Sequence, residues 1–165
     1  MPLAPGPVAS AVVHGGKLYY PLTANESTGT QGHALAVLDP TTFTETTIDL
    51  GARLPYALRL VGDTLYVAHT FINPAFGPLS SLRHLSRIDL RTGTVTGRDL
   101  DTGIVDIAAD ARHVYLIGQD VDLADDFVVQ TYDATTLART ASVPLTRPKA
   151  GGYYYPAGVL APATS

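Results

Sequence analysis

Apolar positions along this 165-residue chain fall in short runs that alternate with polar ones, the two-residue period of strands that bury one face more than the other. Residues 8–14, Val-Ala-Ser-Ala-Val-Val-His, end at Gly15-Gly16, a dipeptide suited to the positive-φ positions of a tight hairpin. The pattern predicts a strand, that turn, and a partner strand over Lys17-Leu-Tyr-Tyr-Pro-Leu22. Residues 23–33 are polar with two glycines and bury no face, so they predict a loop. A third strand, Ala34-Leu-Ala-Val-Leu-Asp39, is closed by Pro40-Thr-Thr, and a fourth, Thr44-Glu-Thr-Thr-Ile-Asp-Leu50, stops at Gly51.

The same order then repeats. The Leu-Tyr or Val-Tyr pair of the second strand falls at Tyr19, Tyr66 and Tyr115, the Asp ending the third strand at Asp39, Asp89 and Asp133, and the Leu ending the fourth at Leu50, Leu100 and Leu145. Asp and closing Leu keep a near-constant separation, whereas the distance from Tyr to Asp varies; length variation is therefore concentrated between strands two and three. A unit of about 47 residues with four short strands matches the blade of a β-propeller, about 40–45 residues in the familiar class. The expected fold is all-β, with three full blades and one extra strand. Residues 1–7 read as a leader, 8–51 as blade 1, 52–101 as blade 2, 102–145 as blade 3, and 146–165 as the start of a fourth blade or a C-terminal strand and tail.

Composition agrees with strands and turns. Twenty Thr, nine Tyr and fifteen Gly stand against one Met and no Trp, and 45% of residues are apolar. A net charge of −4 with dispersed basic residues gives no electrostatic reason to bind nucleic acid. The absence of Cys excludes thiolate chemistry and disulfides. No apolar run approaches the ~18 residues of a membrane helix, and the N-terminal heptad lacks the basic and apolar regions of a signal peptide.

Each repeated residue has a structural role available to it. The Leu18/Leu65/Val114 set and the Tyr19/Tyr66/Tyr115 set alternate along their strands, so one is expected against the preceding blade and the other against the next. Asp39, Asp89 and Asp133 precede turns, where a carboxylate accepts hydrogen bonds from the turn's own N–H groups.

Pro55-Tyr-Ala-Leu-Arg-Leu-Val-Gly-Asp-Thr-Leu-Tyr-Val-Ala and Leu35-Ala-Val-Leu-Asp-Pro-Thr-Thr resemble the YVTN-type repeat of quinoprotein-like β-propellers, with a Pro lead, a Leu-Tyr-Val-Ala strand and an Asp strand end followed by a Thr-rich turn. The resemblance covers residues 8–145 and is closest in the second unit; Tyr19-Tyr20-Pro21 and Tyr115-Leu-Ile-Gly depart from it. It implies a propeller, and suggests the cell surface or periplasm.

In a blade, the loops joining strands two and three share a face with the connections to the next blade, and a loop face on a rigid scaffold is the default site of function. That face is expected to carry 23–33, 70–84, 118–126 and 146–155. Candidate binding residues on it are His33, Arg53, His69, Asn73, Phe76, His84, Arg147, Lys149, Tyr153, Tyr154 and Tyr155. Tyrosines beside cations suit protein or sugar contacts, and equally an edge strand packed on a neighbour. Asp120, Asp122, Asp125 and Asp126 offer oxygen ligands for calcium, against the plainer reading of a solvated acidic loop. No histidine pair has the spacing of a metal motif in sequence, and isolated polar histidines are the plain expectation. No catalytic residue or cofactor is assigned.

Tyr155-Pro-Ala-Gly-Val-Leu-Ala161 lines up with the inner-strand lead Pro55-Tyr-Ala-Leu-Arg-Leu-Val61. Three blades and one strand do not close a ring of about four to eight. Either the chain is part of a longer propeller, or copies associate, two making a six-bladed ring. The expected function is a non-enzymatic scaffold that binds a protein partner or ligand through its loop face. The alternative is a propeller enzyme, lactonase-like or quinoprotein-like, with a metal or cofactor near the axis.

Overall fold

Twelve strands account for all the regular structure among the residues that the computed structural model describes, 11–22, 34–51, 55–69, 83–119 and 127–145. They form three four-stranded antiparallel sheets, each a meander in chain order. Blade 1 holds β1 (Val12–His14), β2 (Lys17–Pro21), β3 (Ala34–Asp39) and β4 (Thr44–Asp49). Blade 2 holds β5 (Pro55–Val61), β6 (Thr64–His69), β7 (His84–Asp89) and β8 (Thr94–Asp99). Blade 3 holds β9 (Gly103–Ala109), β10 (His113–Gln119), β11 (Phe127–Asp133) and β12 (Arg139–Leu145). Inner strands pack on one another from blade to blade, β1 and β2 against β5, and β9 against β5 and β6. The architecture is that of β-propeller blades, three in succession. Residues 8–10 and 146–165, assigned above to the first strand and to a fourth unit, lie outside the described residues.

The Gly15-Gly16 turn forms as its chemistry dictates: both residues have positive φ, 56° and 75°, and the register places His14 opposite Lys17. Register also fixes which side chains meet the neighbouring blade. Leu58, Leu65, Val67 and Ile88 share one face of blade 2 and form a buried core with Tyr19, Leu35 and Val37 of blade 1. Ala57, Tyr66, Ala68 and Leu85 share the opposite face and are buried with Ile104, Ile107, Val114 and Leu116 of blade 3. The expected alternation of the Leu and Tyr sets is therefore realised: Leu65 faces backward to blade 1, and Tyr66 faces forward to blade 3. Burying a side chain of this size stabilises by about 1.5–3 kcal/mol, so the interfaces between blades, rather than single sheets, hold the array.

Polar contacts between blades add direction. Tyr66 donates its hydroxyl to the Ala134 carbonyl at 2.9 Å, Arg59 pairs with Asp106 at 3.2 Å, and His14 approaches Asp63 at 3.1 Å.

The aspartates that end the third strands act on their own turns. Asp39 accepts from the N–H groups of Thr41 and Thr42, Asp89 from Arg91 and Thr92, and Asp133 from Thr135 and Thr136. Four residues beyond each Asp the chain enters the left-handed region, at Phe43 (φ 53°), Gly93 (φ 73°) and Leu137 (φ 56°). Glycine suits that position; the other two adopt it at a cost of about 1–2 kcal/mol.

Candidate binding face

Within each meander the second-to-third strand loop and the exit to the next blade leave from the same edge of the sheet. In blade 2 that edge carries the ends of β6, β7 and β8 and the link from β8 to β9, all of them described. One row of register, His69 opposite His84 and His84 opposite Asp99, runs across it. Side chains opposed in this way project from the same side of the sheet. The two imidazoles meet edge to face with ring centroids 5.4 Å apart.

Each histidine is held by a partner of its own. His69 Nε2 and Ser86 Oγ share a hydrogen bond of 2.8 Å, and His84 donates from Nδ1 to Asp99 at 2.6 Å. His69, Ser86 and His84 are 0%, 2% and 5% exposed, and they lie at the edge of the core between blades 1 and 2. Gly97 makes room for this arrangement: a Cβ there would stand 2.1 Å from His84 Nε2.

A second polar cluster continues the first along the chain. The Leu100 N–H donates to the Arg83 carbonyl at 2.8 Å, and the Arg83 guanidinium donates to the Asp101 carbonyl at 2.9 Å, so the β8–β9 link is pinned to the root of the β6–β7 loop. Thr102 donates to Gln130 Oε1 at 3.0 Å, Tyr132 donates to the same oxygen at 2.6 Å, and Gln130 Nε2 donates to Asp101 at 3.2 Å. Arg139 closes the cluster with an ion pair to Asp101. Burial pushes the Asp101 carboxyl up, but the hydrogen bonds of Arg139 and Gln130 outweigh it and hold the group below its ordinary value. Gly118 leaves space for Thr102, whose Oγ1 would stand 2.8 Å from a Cβ at that position.

The Ser86–His69 pair has the contact of a nucleophile and its base, but not the setting. The nearby carboxylate, Asp99, bonds His84 rather than His69, and Ser86 is sealed from solvent between two blades. Activation of a serine requires base, orienting group and reachable carbonyl in one place. This cluster supplies rigidity instead: four polar side chains, His69, Ser86, His84 and Asp99, cross-brace the ends of β6, β7 and β8.

Of the residues singled out from sequence, His69 and His84 are described. They are not isolated, as their sequence spacing suggested, and they do not present themselves to a partner; they form the buried root of the face. His33, Arg53, Asn73, Phe76, Arg147, Lys149, Tyr153, Tyr154, Tyr155 and the aspartates 120, 122, 125 and 126 lie outside the described residues. Among the described residues no group of three or more His, Asp or Glu is placed to hold a metal. Asp99, Asp101, Thr102, Arg83, Arg139 and Gln130 were not anticipated. Only Asp99 had a usable signal, since the β7–β8 hairpin register sets it opposite His84.

No protein-family model matches the chain, and no curated protein matches it. Among solved structures it is similar to the N-terminal domain of Nup159, with 16% identity and a TM-score of 0.49 over 84% of this chain and 31% of that one. It is also similar, with 15% identity and a TM-score of 0.48 over 82% of this chain and 30% of that one, to a chain of an S. cerevisiae complex of a Dbp5 variant bound to Nup159, a Gle1 variant, IP6 and ADP. The chain thus spans about a third of the length of the structures it resembles.

Proposed function

We propose that this chain is part of a β-propeller that binds a protein partner or ligand through the face carrying residues 23–33, 70–84, 118–126 and 146–155, and that it performs no catalysis itself. Its repeats belong, in this reading, with the YVTN-type units that Pro55–Ala68 resembles. The observation that carries the proposal is the bracing of Arg83, His84, Asp99 and Asp101. The polar side chains nearest the loops are spent on fixing where the long 70–82 segment leaves and returns, so the recognition chemistry falls to the loops. Positioning variable loops on a rigid scaffold is how binding surfaces are commonly built.

The test replaces residues 71–81 by a Gly/Ser linker and, separately, Tyr153, Tyr154 and Tyr155 by Ala. Wild-type and altered chains are immobilised side by side and challenged with the same cell extract. Proteins held by the wild type and lost from the altered chains, with β-sheet circular dichroism preserved, are the expected result. An identical bound set from all chains overturns the assignment of the face. Hydrolysis of a chromogenic ester that disappears in Ser86→Ala overturns the non-catalytic reading.

A further inference from the structure

We propose that the backward face of blade 1 is one half of an interface between two copies of this chain, and that the other half is the forward face of blade 3 in the second copy. The inference concerns how the end blades are covered and stands whether or not the loop face binds a partner.

The repeat itself shows what the backward face of a blade is for. Leu18 of blade 1 occupies the place of Leu65 and Val114, Tyr20 that of Val67 and Leu116, and Leu38 that of Ile88 and Tyr132. The residues of blades 2 and 3 in these places are fully buried against the preceding blade. Their blade 1 counterparts are equally apolar but partly exposed, and Val13, paired with Leu18 on the inner strand, is 68% exposed. Phe43 makes the contrast sharpest. It is 82% exposed, whereas Leu137, at the same place in the third turn, is 3% exposed among Ala57, Tyr66, Ala68 and Leu85 of blade 2. Both residues hold the left-handed backbone conformation, and at Leu137 contact with the preceding blade offsets its cost.

Blade 3 carries a matching seat. On the outer half of the forward face of blade 2 stand Arg87, Thr96 and Arg98, and Arg98 donates to the Leu137 carbonyl at 3.3 Å. The same register positions on blade 3 hold Thr131, Ala141 and Val143. These smaller, uncharged side chains leave room for a phenylalanine where blade 2 receives a leucine. The hydroxyls on the two faces are satisfied within their own blades, Tyr20 donating to Glu45 and Tyr115 to Asp110, so burying both faces orphans neither.

Charge is matched as well. His14, at the end of the inner strand of blade 1, meets Asp63 in the β5–β6 turn of blade 2 at 3.1 Å. Asp110 takes the place of His14 on blade 3, and Lys17 lies next to the place of Asp63 on blade 1. Between blade 3 and the blade 1 of a second copy the signs are therefore exchanged and remain complementary. Two copies of three blades, each joined by its blade 3 to the other's blade 1, make six, within the about four to eight of closed propellers.

The full chain is followed by sedimentation equilibrium over a series of concentrations. A mass of twice 17.4 kDa, reached reversibly, is expected. Phe43→Gly is expected to weaken association at least about tenfold, the weight of one buried aromatic side chain. In the separate chain that ring is exposed on a strained backbone, so urea unfolding at high dilution should show no loss, which excludes misfolding as the cause. Val143→Asp strikes the other half of the contact and is expected to weaken association as much. Because the contact joins unlike faces, a mixture of the two variants keeps one intact contact and should associate more tightly than either variant alone. A single-chain mass up to about 1 mM overturns the proposal. So does a dimer that neither substitution weakens, and so does a mixture no tighter than its components, which would mean that like faces pair.

Discussion

Tyr66 of blade 2 reaches across to blade 3 and donates its hydroxyl to the main-chain carbonyl of Ala134, 2.9 Å away. The ring is buried between the sheets, and that burial pushes the phenol above its ordinary value. Tyr66→Phe keeps the ring and leaves the Ala134 carbonyl without this donor. A loss of about 1–2 kcal/mol in urea unfolding is expected, the usual cost of orphaning a buried acceptor. Tyr115→Phe removes a bond to the half-exposed Asp110, where water substitutes, and is expected to change stability by less than about 0.5 kcal/mol. Equal losses from the two substitutions would contradict the forward role of Tyr66.

Phe43 and Leu137 occupy the same left-handed position after their aspartates, but their surroundings differ. Phe43 is 82% exposed, whereas Leu137 is buried in the core of blades 2 and 3. Phe43→Gly relieves the backbone and loses no packing, so a gain of up to about 1 kcal/mol is expected once glycine's greater unfolded-state freedom is subtracted. Leu137→Gly loses a buried side chain and is expected to cost at least about 2 kcal/mol. Thermal melts of the two variants, run together, test the opposite signs.

Gly97 lies beneath the His84 ring. Gly97→Ala is expected to destabilise by about 1–3 kcal/mol, because the ring is fixed by Asp99 on one side and His69 on the other. Adding His84→Ala should recover part of that loss. A double-mutant cycle giving a coupling of about 1 kcal/mol or more is the expected outcome, and simple additivity would mean that the ring moves aside freely.

Acid stability follows from the turn carboxylates. Backbone N–H groups hold Asp89 and Asp110 below their ordinary values, and the backbone N–H and hydroxyl of Thr136 do the same for Asp133. A carboxyl whose folded value is depressed contributes stability that is complete above its unfolded value, about pH 4, and is lost as pH falls through the folded value. The urea midpoint should therefore be level from neutrality to about pH 5 and decline below about pH 4. Asp133→Ala should shallow that decline as well as lower the neutral plateau; an acid limb of unchanged steepness would count against the linkage.

The scaffold was legible in sequence because its information is local. Tyr66, Asp89 and Leu100 mark positions set by a strand's two-residue period and by turns that an aspartate closes on itself, and the separation from Asp to closing Leu is nearly the same in each copy. The polar bracing was not legible, because it is assembled by tertiary proximity: Thr102 and Gln130 lie 28 positions apart, and Asp101 and Arg139 lie 38 apart. The strain at Phe43 was hidden for another reason. Gly93 announces a left-handed turn, but Phe43 and Leu137 at the equivalent positions do not. His69 and His84 illustrate a third limit: they lie fifteen positions apart along the chain, while the pairing of β6 with β7 sets them directly opposite each other, edge to face.

The outermost strands carry a separate consequence. All six residues of β8 and all seven of β12 are exposed, as are all but Ile48 in β4. Such strands have one unpaired edge, which offers a template on which another molecule's strand can grow. Here the rim is written in threonine and charge, with Glu45, Arg98 and Arg139 along it, and Pro144 removes a donor from β12. A strand that adds to such an edge would place charges beside charges and meet a missing hydrogen bond, so the rim resists the edge-to-edge stacking that turns β-proteins into fibrils.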